Sequence, residues 1–130
     1  MSQITARLLA FLSCLLGAFG VALAAAASHI APGRSLESAA TIAMVSAPAV
    51  LAMLAMTRTG LIRPKLGLFC AMTVWAGAWL FSGGIAVRAF APMSEWAIVH
   101  AAATIPMIAP IGGTLLIGAW VLAAIAALFK

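Results

Sequence analysis

No acidic or basic side chain lies near the middle of any of four long apolar runs, at about 4–27, 39–56, 66–87 and 108–129. That feature constrains the fold most, because roughly 20 apolar residues is the length of a helix crossing the hydrocarbon of a bilayer. Within hydrocarbon each segment has to satisfy its own backbone N–H and C=O groups, so such runs fold as helices. Composition agrees. Of 130 residues, 66% are hydrophobic and 7% charged, with two Glu and no Asp, whereas a soluble domain carries roughly a quarter charged residues. Such a chain cannot cover a water-facing surface, which excludes a soluble enzyme, a disordered tail and a nucleic-acid binder. The net charge of +5 reads as a topology signal at membrane edges. The expectation is an all-α integral membrane protein, one domain over 1–130, with four transmembrane helices in a compact bundle within the lipid bilayer.

The breaks between runs set the topology. Ser28-His29 and the turn-forming Ala31-Pro32-Gly33-Arg34 close the first run. Ser35 or the residues around Glu37 can cap the second, and Pro48 is expected to kink it. The basic stretch 57–65 closes the second run, and Arg88 ends the third. Pro92, Ser94, Glu95 and Trp96 then suggest a short interfacial helix at about 94–104, with Pro106 and Pro110 punctuating the approach to the last run. The alternative, one kinked helix from Ser94 to Phe129, is too long for a simple span. Arg7 and Ala22-Leu23-Ala24 also fit a secretory signal, but the first apolar run is longer than a signal core and reads as a retained span. Four spans place Arg7, Arg58, Arg63, Lys65 and Lys130 on one side, and Arg34, Arg88 and both glutamates on the other. The positive-inside bias therefore predicts cytoplasmic termini. The alanine-rich composition suggests a bacterial inner membrane.

Chemistry-bearing residues are few. Ion- or proton-coupled transport needs ionisable groups within the membrane, and the runs offer none. Ser13, Thr41, Ser46, Thr73 and Ser82 are the candidates for lining a path for a neutral or hydrophobic solute in an oligomer. His29 and His100, expected on the same side, are the candidates for a cofactor site, as axial ligands of a b-type haem or beside a quinone. The plainer reading makes both boundary residues hydrogen-bonded to backbone or water, with no cofactor and no metal centre. No nucleophile, base and acid can be combined into a catalytic set, so an enzyme is not expected. Cys14 and Cys70 sit in apolar runs and read as small buried side chains. Small residues at four-residue spacing are frequent, as in Gly20-Ala24-Ser28, Ser13-Gly17, Thr73-Gly77 and Thr114-Gly118. In lipid, such stripes let helix backbones approach closely.

Three motifs carry a likeness. Leu80-Phe81-Ser82-Gly83-Gly84, Pro110-Ile111-Gly112-Gly113 with Gly118-Ala119-Trp120, and the glycine-rich Gly17-Ala18-Phe19-Gly20 resemble a small four-helix membrane family. That family includes transmembrane protein 256 and bacterial proteins labelled domain of unknown function 423. Met44-Val45-Ser46-Ala47-Pro48-Ala49 lacks the tyrosine and histidine usual in that family's second span. The resemblance implies a four-span membrane protein and supplies no reaction. Proline at a helix start and paired glycines favour close backbone approach, so the Phe81–Gly84 and Pro110–Gly113 motifs are expected to touch. The expected packing positions are Gly17, Gly20, Ala24, Ser82, Gly83, Gly84, Pro110, Gly112, Gly113 and Gly118. The leading functional expectation is a non-enzymatic accessory or assembly subunit of a larger inner-membrane complex, bound to a membrane-protein partner or to its own copies. The alternatives are an oligomeric transporter or channel for a neutral or hydrophobic solute, and a haem- or quinone-associated redox subunit.

Overall fold

A computed structural model describes residues 3–30, 33–105 and 108–128. It contains five α-helices: α1 (Gln3–His29), α2 (Arg34–Arg58), α3 (Pro64–Phe90), α4 (Ala97–Ala103) and α5 (Ile108–Leu128), with a 3-10 turn at Ala91–Met93. No strand occurs among the described residues. Helices α1, α2, α3 and α5 are long and apolar enough to cross a membrane.

Helices α1, α2 and α3 overrun their apolar runs, because hydrogen bonding continues until the chain meets a residue that stops it. Gly60, at φ 78°, takes the left-handed conformation open to glycine and turns the chain between α2 and α3. Pro64 opens α3 in the first turn, where its missing N–H costs no bond. Helix α2 starts at Arg34 and carries no side-chain cap. Neither Ser35 nor Glu37 performs the expected capping; both lie inside the first turn, where Glu37 complements the helix dipole. Ser38 and Thr41 donate back to the carbonyls of Arg34 and Glu37. Helix α4 is shorter than expected, because Ser94 is extended and its hydroxyl accepts from the Trp96 N–H at 3.2 Å. Helix α4 ends at Ala103, so the long kinked alternative from Ser94 does not form. Pro106 lies outside the described residues.

Packing follows one rule in the two outer helices, α1 and α5. The buried positions of α1 are Ala6, Leu9, Ser13, Leu16, Gly20, Leu23 and Ala27, alternating steps of three and four. In α5 they are Gly112, Leu116, Ala119, Ala123 and Ala126, with the same alternation. This 3.5-residue period is that of left-handed packing at shallow crossing angles. The helices pack in chain order: α1 on α2, α2 on α3, α3 on α5. Helices α1 and α3 also meet, where Phe19 stacks on Trp79 at 4.8 Å and Trp75 meets Trp79 edge-on at 6.4 Å. Helix α5 does not pack directly on α1 or α2 among the described residues. The expected compact bundle is therefore open along α5, whose buried stripe of Gly112, Leu116, Ala119, Ala123 and Ala126 packs on α3.

Candidate functional site

The α3–α5 seam fixes everything at this open side. At Gly112 the two backbones come so close that an added Cβ would meet the Phe81 amide nitrogen, lie 2.7 Å from the Gly77 carbonyl oxygen and 2.9 Å from the Leu80 carbonyl carbon. Gly77 answers from α3, where a Cβ would lie 3.0 Å from the Gly112 oxygen. Gly84 faces Ile108 at 2.9 Å and the Ala109 nitrogen at 3.3 Å. The two motifs thus lie against each other, but their glycines are not equivalent. Gly113 has only ordinary contact with the Phe81 ring, at 3.5 Å, while Gly83 and Gly118 face open space. Pro110 is exposed in the first turn of α5. On the α1–α2 seam, Gly20 lies against Met44 and the Ala40 carbonyl, and Gly17 against Ala47 at 3.3 Å. Ala24 is half-buried, at the edge of the α1 stripe. Between α2 and α3, the buried Ser82 hydroxyl donates to the Ala39 carbonyl at 2.7 Å, a hydrogen bond across helices. Gly77 and Gly67, tight against α5 and Thr57 respectively, complete the seams. The four-residue spacings of Thr73 with Gly77 and of Gly67 with Ala71 are the visible signals for these two glycines.

Because α5 is seated on α3 alone, a groove runs between α2 and α5. Its upper part, about 470 Å³, is walled by Ile42, Val45 and Ser46 from α2 and by Gly113, Leu116, Ile117 and Val121 from α5, with Phe81 of α3 beneath. A second hollow of about 260 Å³ continues between Ala49, Ala52, Met53 and Met56 on one side and Ala123 and Ala124 on the other. Trp120 borders both parts and is 48% exposed. The walls are almost wholly apolar, Ser46 supplying the hydroxyl. What this arrangement can do is bind an elongated apolar body laterally.

The other sequence-predicted residues are spread over α1, α2, α3 and α4. His29 ends α1. His100 lies on α4, its Nε2 paired with the Ser94 carbonyl at 2.7 Å. Helix α4 touches α3 and the 3-10 turn and not α1, so the two imidazoles stand on helices that do not pack together. Among the described residues no cluster of three or more His, Cys, Asp or Glu is positioned to hold a metal. The hydroxyls proposed for a solute path are mostly engaged: Ser13 donates to Leu9, Thr41 to Glu37, Thr73 to Phe69 and Ser82 to Ala39. Of these five residues, Ser46 borders the groove. The groove itself escaped sequence reasoning, since it depends on which helices fail to meet. No known protein family, curated protein or solved structure matches the chain.

Proposed function

We propose that the chain is a non-enzymatic integral membrane subunit of a bacterial inner membrane that docks on, and helps assemble, a larger membrane complex through the α2–α5 groove. The carrying observation is that α5 is held by α3 alone and leaves an apolar groove open along much of its length. Helices in lipid associate by close packing between small residues. Gly113, Ala49, Ala52, Ala123 and Ala124 line the groove and would let a foreign helix approach. The proposed orientation has both termini in the cytoplasm, from the asymmetry of Lys and Arg. The likeness of the Phe81–Gly84 and Pro110–Gly113 motifs to the transmembrane protein 256 family supports a four-span subunit without adding a reaction.

Gentle detergent extraction of the tagged chain from its native membrane, with mass spectrometry of what co-elutes, tests this reading. The expected result is one stoichiometric membrane partner, lost on Val121→Trp or Ala124→Trp while the chain stays in the membrane. A lone monomer or homo-oligomer overturns it, and an oligomer would direct attention to transport of a neutral solute.

A further inference from the structure

At the opposite face of α2 a second groove separates α1 from α2, and its character is different. It has a volume of about 260 Å³ and is lined by Ala6, Arg7 and Ala10 of α1 and by Leu51, Leu54, Ala55 and Arg58 of α2. Three of its seven lining residues are alanines, so the groove exists because side chains that would fill it are missing. Its walls run from Leu51 to Arg58, about 10 Å along a helix, apolar inward and cationic at the rim. Arg58 also borders a neighbouring hollow with Gln3, Thr57 and Pro64, about 390 Å³ in volume. Arg63 and Lys65 follow in the adjoining α2–α3 turn and first turn of α3. No glutamate offsets these cations. Glu37 lies 21 residues before Arg58 on the same helix, about 30 Å away along its axis, and Glu95 follows α3 at that distant end.

We propose that this groove is a binding site for an anionic phospholipid, its phosphodiester held between the Arg7 and Arg58 guanidiniums and one acyl chain laid against Ala6, Ala10, Leu51, Leu54 and Ala55. Two guanidiniums offer planar donor forks that match phosphate oxygens. Guanidiniums at the rim of a span reach the headgroup layer without being dragged into hydrocarbon. A free phosphate would use the rim but leave the apolar wall unused, whereas a phospholipid uses both. Basic pockets between spanning helices are suited to anionic headgroups. The proposal rests on membrane residence and not on the α2–α5 groove docking a partner, so either can fail without the other.

The test is native mass spectrometry of the full chain in detergent, titrated with phosphatidylglycerol or with phosphatidylcholine. Wild type is expected to prefer the anionic lipid; at about fivefold per arginine, the pair gives a preference of roughly thirtyfold. Arg7→Gln with Arg58→Gln should bring it close to parity, while Arg63→Gln with Lys65→Gln, which removes the same charge outside the groove, should leave most of it. Ala55→Leu, which fills the groove with both arginines present, should weaken phosphatidylglycerol binding severalfold. Equal loss in both double variants, no preference in wild type, or displacement of the lipid by millimolar inorganic phosphate would each overturn the proposal. Retention of the wild-type elution volume by each variant shows that folding is not what changed.

Discussion

Two glycines one position apart, Gly112 and Gly113, show how sharply a helix surface discriminates. With 3.6 residues per turn, neighbouring positions point about 100° apart, so Gly112 faces the α3 backbone while Gly113 faces the side of Phe81. Gly112→Leu forces a side chain into main-chain atoms that cannot yield, and should cost roughly 1–3 kcal/mol or more. Gly118→Leu faces open space and should cost nothing measurable. Thermal unfolding in detergent distinguishes the two; equal melting temperatures would contradict the seam. Ser82→Ala removes the hydrogen bond to Ala39. Such bonds average about 0.6 kcal/mol in a membrane bundle, so a loss of that order is expected in the same assay. The motif residues were expected to pack as a group, from their paired glycines and from the likeness to a known family. Their individual roles were not legible, because spacing does not give a helix's rotation about its own axis.

At the scale of elements, the spans were legible in number and order because hydropathy is set by the solvent each segment needs. Their ends were not, since α2 begins five residues before its apolar run and α3 extends past Arg88 to Phe90. Charged residues at a membrane edge can remain helical, so polarity marks where lipid ends and not where the helix does. Which faces meet was also hidden: the α5 sequence is apolar nearly all round, and only tertiary contact selects Gly112, Leu116, Ala119, Ala123 and Ala126. A seam made by one pair of helices should fail by itself. Gly77→Leu, whose added side chain would strike Gly112 and Leu116, should speed amide hydrogen exchange in α5 in detergent while leaving α1 and α2 unchanged. Uniform acceleration across all four spans would mean that the seams are coupled.

For the whole molecule, the asymmetry of Lys and Arg predicts the orientation. Single cysteines at Gly60 and at Ser94, introduced after replacing Cys14 and Cys70 by alanine, should label differently in intact cells. An impermeant maleimide should modify the Ser94→Cys variant and spare Gly60→Cys until the membrane is opened; the reverse pattern would invert the topology. The two grooves belong to this scale as well, one almost wholly apolar and one rimmed by Arg7 and Arg58.

Packing in chain order has a further consequence, for biogenesis. Each of α2, α3 and α5 rests on a helix that precedes it in the chain, so each of these three finds its partner already made as it leaves the ribosome. Little of the structure waits for distant segments, which places the chain among the low-contact-order proteins that assemble rapidly. Synthesis as far as Phe90 supplies both the α1–α2 and α2–α3 seams. The last of the four long helices then adds to an existing surface, the face of α3 that carries Gly77 and Gly84.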